Sequence, residues 1–191
     1  MRTEFPVLRT DRFELRVAEQ SDVPRLLAYR RENAAPFEPF EPVRAPDHFT
    51  EEYWGRQVET DRREFEAGSA VRLYIFDPGP DGEVLGLVSF SNIIRGALQS
   101  CFLGYALAER AQGRGLATEA VRAGIDYMFG EMNLHRLSAN YMPHNTPSAG
   151  VLKRLGFTVD GYARDYLMIA GRWQDHILTS LLNPSWKPPA G

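Results

Sequence analysis

The 191-residue chain predicts an α/β fold (α+β mixed sheet): one central mixed sheet flanked by helices. Three observations predict it. Segments of period two and of period 3.6 follow one another as strand, two helices, three strands, helix, strand, helix and further strands, an order that one sheet covered by helices satisfies. A glycine-rich turn in mid-chain joins a strand to an amphipathic helix. No linker, repeat or low-complexity segment divides the chain, and 43% hydrophobic with 25% charged residues suits one domain, 1–191, with its own core.

The elements follow in order. Val7 to Ala18 alternates Phe13, Leu15 and Val17 with Glu14 and Arg16, the pattern of a half-buried strand. Ser21 reads as a helix cap, with Pro24 in the first turn and Leu26, Leu27 and Tyr29 following. Ala35 to Pro46 carries four prolines among Phe37, Glu38, Phe40 and Glu41 and reads as a stiff loop, either a surface connection or a wall of a binding pocket. Thr50 caps a second helix running to about Ala67. Val71–Asp77, Glu83–Ile94 and Leu98–Leu107 read as strands, the second with Gly86 at a bend or close approach and the third broken near Gly104. From Leu116 the residues Ala117, Ala120, Val121, Gly124, Ile125 and Met128 form one apolar helix face, opposite Glu119, Arg122 and Asp126. Leu134–Tyr141 is a further strand. A short helix starts at Thr146-Pro147 and ends at Gly156. Phe157–Tyr162, Asp165–Ile169 and Gln174–Leu181 complete the strands, with Gly171 at the last turn, and the proline-rich 183–191 reads as a loosely ordered tail.

Composition excludes several classes. A net charge of −3 argues against bulk nucleic-acid affinity. The single cysteine, Cys101, rules out an internal disulfide framework and fits a reducing compartment. There is no apolar run of membrane-spanning length and no apolar core of a signal peptide near Met1, so the expected location is cytoplasmic. His135, His144 and His176 lack the short helical spacing of a zinc site, and no metal is expected. Asp175 and His176 are strand neighbours that point to opposite faces, which argues against a catalytic pair.

The glycine turn carries the chemistry. Gly113 and Gly115 precede the helix whose first turn has unpaired N–H groups and a partial positive charge, a setting for a phosphate or pyrophosphate, with Arg110 and Arg114 beside it. A plain tight turn is the other reading. A Walker loop is excluded because no Gly-Lys-Ser/Thr occurs, and a dinucleotide fingerprint because Thr118 stands where its third glycine belongs. The remaining pattern, Arg110-x-x-Gly113-x-Gly115, resembles the pyrophosphate motif of the GCN5-related N-acetyltransferases, which hold acetyl-coenzyme A there.

The resemblance narrows over nearly the whole chain. Gly104-Tyr105, the glycine turn and Asn145-x-x-Ser148 followed by Leu155-Gly156-Phe157 occur in order, and with Ser91-Asn92, Arg95-Gly96, Asn140 to Asn145, Gly161 to Leu167 and Gly171 to His176 they resemble the ribosomal-protein-alanine branch of that family, the RimJ type. The resemblance implies acetyl transfer from acetyl-coenzyme A (acetyl-CoA) to the N-terminal alanine of a small-subunit ribosomal protein, without membrane or direct nucleic-acid partners. Relatives of the same fold acetylate small amines or antibiotics, and a cofactor-binding or ribosome-associated module without turnover would keep the same glycine turn.

The residues implied are these. Leu103, Gly104, Tyr105, Arg110, Gln112, Gly113, Arg114, Gly115, Leu116, Ala117, Thr118 and Asn145 would hold the cofactor, with backbone N–H groups of Leu103 to Tyr105 polarising the thioester. Asn145 also reads as a turn or cap residue. Ser148 is implied as the acid for the leaving thiolate, with Tyr141 in reserve, although chain position alone favours a first-turn serine with no chemical role. Asp165 is implied as the base, against a surface aspartate paired with Arg164 or Arg172. Phe40, Glu41 and Asn92 are assigned to the acceptor; Glu41 is the second candidate for the base, but is read rather as binding the incoming ammonium. Cys101 reads as a small core residue.

Overall fold

The computed structural model describes residues 4–79 and 81–188. Eight strands form one sheet: β1 (Val7–Arg9), β2 (Glu14–Arg16), β3 (Val71–Phe76), β4 (Val84–Ile94), β5 (Ser100–Leu107), β6 (Arg136–Tyr141), β7 (Thr158–Ile169) and β8 (Arg172–Leu182). Their order is β1-β2-β3-β4-β5-β6-β8-β7, and every neighbouring pair is antiparallel except β5 with β6. The helices are α1 (Val23–Glu32), α2 (Ala34–Phe37), α3 (Glu51–Ala67), α4 (Leu116–Gly130) and α5 (Thr146–Arg154). No described helix is long and apolar enough to cross a membrane.

The helices cover opposite faces. Asp61 of α3 bonds Tyr74 and Arg72 of β3. Gly124 of α4 lies against Val88 and Phe90, the register partners of Leu73 and Val71. Adjacent strand residues point to opposite faces, so α3 and α4 sit on different sides of the sheet. The core between them includes Leu73, Ile75, Val88, Phe90, Val121, Met128 and Leu137, all fully buried or nearly so.

Several expectations change in detail. Val7–Ala18 is a hairpin of β1 and β2, turned by Thr10 N–H donating to Phe13 O, because the alternation runs through the turn. Asp22, not Ser21, stands at the N-cap position of α1, without a side-chain bond to that helix, while Glu19 and Asp22 exchange side-chain-to-backbone bonds around the preceding turn. The proline-rich 35–46 is largely helical: α2 and a single 3-10 turn over Glu38–Phe40 place Pro36 and Pro39 near helix starts, where no N–H is needed. Thr50 does cap α3, accepting from Tyr53 N–H. β5 is unbroken at Gly104 on its β4 side. The segments 157–162 and 165–169 merge into β7, whose register with β8 shifts between Ala163 and Leu167. In the tail, Asn183 is buried and donates to Phe129 O and Leu134 O, and Trp186 Nε1–H donates to Asn133 O, so 183–188 is tied down; 189–191 lie outside the described residues.

Gly86 shows the close approach its position suggested. A Cβ there would meet Ala106 O at 2.5 Å and Leu107 Cδ1 at 2.8 Å. Only glycine lets β4 lie this close to the end of β5, just before the turn that leads to α4.

Candidate active site

The glycine turn is held from behind and open in front. Gly113 and Gly115 both have φ near +76°, and a Cβ on either would meet nothing within 4 Å. Gly115 is the N-cap of α4, so the N–H groups of Leu116, Ala117 and Thr118 are the orphan donors of its first turn. Gln112, an exposed residue, folds back on the strand end, its Nε2–H donating to Leu107 O at 3.0 Å. Arg12, 102 positions upstream, donates to Arg114 O at 3.0 Å and to Glu119 at 2.9 Å, which pins the turn to the first hairpin. Arg110 pairs with Glu83 at 2.6 Å. Arg154 of α5 donates to Thr118 Oγ1 at 3.3 Å, adding a cation next to the α4 N-terminus. Exposed N–H groups, positive-φ glycines with free space and flanking arginines fit a polyphosphate.

Beside this turn the sheet divides. The parallel ladder of β5 with β6 runs only from Ser100/Arg136 to Phe102/Ser138. β5 continues with β4, and β6 continues with β8. Ala108 N–H donates to Leu85 O, so even-numbered residues of β5 bond toward β4 and odd-numbered ones face β6. Past Phe102, the outward peptide of Tyr105 therefore has no ladder partner among the described residues. An unpaired strand N–H aimed into a gap is the donor that polarisation of a carbonyl oxygen requires.

The gap holds a cavity of about 160 Å³ lined by Phe40, Gly104, Tyr105, Asn140, Tyr141, Asn145, Ser148 and His176, with Leu103, Ala139, Met142 and Leu152. The Tyr105 hydroxyl lies 2.9 Å from Ser148 Oγ and donates to Ser148 O at 3.1 Å. Burial pushes the Tyr105 phenol up, and the bond to Ser148 opposes this in part. Asn145 caps α5 by accepting Ser148 N–H at 3.2 Å, so its carbonyl is structural while its residue also lines the cavity.

The structure thus gathers Ser148, Tyr141, Leu103, Gly104, Tyr105, Asn145 and Phe40 around one cavity, next to the turn from Arg110 to Thr118. It does not bring Asp165, Glu41 or Asn92 there. Asp165 is exposed on β7 at φ 45°, its N–H donating to Asp175. Asn92 is exposed at φ 52° in a register shift of β4. Glu41 lines a separate hollow of about 410 Å³ and accepts from Arg30 at 3.0 and 2.7 Å and from Arg44 at 3.1 Å, so its charge is already matched. Burial alone would raise the Glu41 carboxyl; the bonds and charges of the two arginines hold it below the ordinary value. Cys101 is buried, and burial pushes its thiol up to about 12. Sequence reasoning gave no role to Arg12 or to Asn140 and weighed His176 only as a metal ligand or a partner of Asp175, since only tertiary placement brings them to the turn and the cavity.

The acetyltransferase (GNAT) domain family matches residues 12–158. The chain is 42% identical to the [ribosomal protein uS5]-alanine N-acetyltransferase of Escherichia coli (strain K12), over 98% of this chain and 97% of that one. Among solved structures, the ribosomal-protein-S5-alanine acetyltransferase of Vibrio fischeri superposes with a TM-score of 0.92 at 36% identity, covering 96% of this chain and 100% of that one. Mycobacterium smegmatis RimJ, solved in complex with CoA-disulfide, superposes with a TM-score of 0.84 at 31% identity, covering 93% and 86%.

Proposed function

This chain belongs to the GNAT acetyltransferase family and is an acyltransferase with acetyl-CoA as cosubstrate, and on that premise we propose that it acetylates the α-amine of an N-terminal alanine on a small-subunit ribosomal protein, by direct transfer in a ternary complex. The observation that carries this reading is the full-length match to an enzyme named for that acceptor. The whole chain then acts as one acetyltransferase domain, in the cytoplasm where ribosomes are assembled.

Acetyl-CoA supplies an activated thioester. The protein's part is to grip, polarise and move protons. The Gly113–Thr118 turn offers N–H donors to the pyrophosphate, with Arg154 and Arg114 nearby. The Tyr105 N–H would polarise the thioester oxygen. Ser148, bonded to Tyr105, would pass a proton to the departing sulfur. Direct transfer is supported by the place of the chain's single thiol: Cys101 is not among the residues lining the cavity and is buried, with its thiol pushed up to about 12. An α-amine has a reference pKa of about 8, so a useful fraction is neutral near neutral pH, whereas a lysine at about 10.4 is almost wholly charged.

The test is free-thiol release from acetyl-CoA with two peptides, one beginning with a free alanine, the other with that amine blocked and an internal lysine kept. Release with the first alone supports the reading. Release with the lysine peptide, or with neither, refutes it.

A further inference from the structure

We infer that His176 is the general base that takes the proton of the acceptor amine, an assignment that rests on the acetyl-transfer reading above. His176 lies on β8 with 4% of its surface exposed, yet it lines the cavity at the β5–β6 split. Its Nδ1 is 3.0 Å from Gln174 O. A carbonyl oxygen can only accept, so Nδ1 carries the hydrogen and the neutral ring keeps its lone pair on Nε2. Nε2 has no partner among the described residues. The Nδ1–H bond satisfies a buried donor and would serve a structural histidine equally; the unused acceptor on a ring that lines the cavity is what points to a role in proton transfer.

The irregular register of β7 is what builds this corner. Between the pairs Ala163↔His176 and Leu167↔Gln174, β7 has three residues, Arg164, Asp165 and Tyr166, where β8 has one, Asp175. Asp175 secures the bulge: its carboxylate accepts from Asp165 N–H at 2.9 Å and from the Tyr162 hydroxyl. The extra residues swing Tyr166 over the His176 ring, with centroids 5.4 Å apart, and Asn140 Nδ2–H donates to the Tyr166 hydroxyl at 3.1 Å. Bulges re-aim side chains beside active sites in this way. Ala163, directly opposite His176, leaves room for the ring.

The other titratable groups around the cavity do not compete. Tyr105, Tyr141 and Tyr166 carry hydroxyls, poor proton acceptors near neutral pH, and burial pushes the Tyr105 phenol further up. Asp175 is on the opposite face of β8 and engaged with Tyr162 and the bulge. Glu41 is paired with Arg30 and Arg44. His144 is exposed, outside the cavity lining, with its ring 6.4 Å from that of Phe40. The proton balance is complete. Nε2 takes one proton from the ammonium and later yields it to solvent. The freed amine lone pair forms the C–N bond to the thioester carbon as the C–S bond breaks. The second proton lost by the nitrogen replaces the one that Ser148 delivers to sulfur, giving amide, free thiol and one released proton.

The experiment measures kcat/KM for the free-alanine peptide across pH in wild type, H176Q and H176A, with acetyl-CoA affinity measured in parallel. H176Q keeps a polar side chain of similar length but cannot take a proton near neutral pH. At about pH 7 it should lose roughly 10²-fold or more in kcat/KM while binding acetyl-CoA as wild type does. The deficit should shrink toward about pH 9.5, where the amine is neutral unaided. Imidazole in solution should restore part of the H176A rate. A deficit below about threefold at pH 7, one that stays constant with pH, or loss of acetyl-CoA binding in both variants overturns the assignment. The wild-type rate alone judges the acceptor: if wild type ignores the peptide but acetylates a small amine, the proposed function fails and the same variants are read with that amine. If wild type turns over neither, both readings fall.

Discussion

Replacing Ser148 with Ala tests the proton path to the leaving sulfur. In the structure the Tyr105 hydroxyl has two partners on residue 148, Oγ at 2.9 Å and the backbone O at 3.1 Å. S148A removes the first and keeps the second, so the phenol stays bonded and no buried donor is orphaned. The folding cost should therefore be that of one hydrogen bond, about 0.5–1.5 kcal/mol in a urea titration. Catalysis should lose more. General acid catalysis contributes roughly 10²–10⁴-fold, and a thiolate with a pKa of about 8.5 leaves readily, which places the expected fall in kcat near the low end, about 10²-fold. Acetyl-CoA affinity should not change, because Ser148 holds no part of the glycine turn. The assay is thiol release at saturating peptide and cofactor, beside calorimetric binding. Y105F and the double variant complete a cycle: if serine and tyrosine act as one relay, the double variant is no slower than the slower single one. A kcat for S148A within about threefold of wild type would remove Ser148 from the path and refute the reasoning.

Three further outcomes follow from local geometry. Gly115→Val forces a β-branched residue to φ +76° at the N-cap of α4, a strain of at least about 1–2 kcal/mol, and fills the open space before the helix; acetyl-CoA affinity should fall at least about tenfold, whereas Gly68→Ala, at φ +70° beyond the far end of α3, should cost stability alone. Equal affinity in wild type and G115V would show that the pyrophosphate lies elsewhere. Glu41→Gln leaves Arg30, whose side chain is 8% exposed, without its counter-charge, at a cost of about 2–3 kcal/mol, less than for a fully buried pair because Glu41 is 19% exposed. Because the folded-state pKa of Glu41 is depressed, its contribution is present above the ordinary value of 4.5 and is lost as pH falls through the lower folded value, so wild-type and E41Q denaturation midpoints should converge in acid; parallel curves would contradict this. His48 is buried among Phe49, Tyr53 and Trp54, and burial, with the charges of Arg30 and Arg44, pushes its pKa down from 6.5 to about 4. The unfolded chain then gains a proton that the folded one refuses, so Tm should fall between pH 6.5 and about 4, and His48→Phe should flatten that slope; an unchanged slope would exclude His48 as the cause.

What was legible in the chain was local. Thr50, Gly115, Gly156 and the Ala170-Gly171 turn announce element ends through their own backbone chemistry, and the α4 stripe announces a buried face. The hairpin within 7–18 was hidden because apolar alternation does not stop at a tight turn. The helical character of 34–40 was hidden because proline reads as a breaker unless it falls in a first turn. Asp165 was carried to the site by family resemblance, and the structure leaves it outside because a bulge of β7 exposes it and turns Tyr166 inward instead. Alternation did separate Asp175 from His176, but not even strict period-two reasoning says which face meets a cavity.

The split between β5 and β6 ties these threads together. α4 leaves the end of β5 and returns the chain to β6, so the turn at its N-terminus and the opened strand edge arise from one crossover. α5 follows β6 directly and presents Ser148 to Tyr105 of β5, so the hydrogen bond between them spans the opening itself. The hydroxyl pair assigned to the leaving thiolate is thereby also a strut across the wedge. His176 approaches from the strand on the far side of β6, where Asn140 and Tyr166 hold the neighbouring wall. The proposed acid and base would then reach the same cavity from opposite flanks of β6, an arrangement that would let a proton leave the incoming amine and another reach the departing sulfur without the two groups neutralising each other.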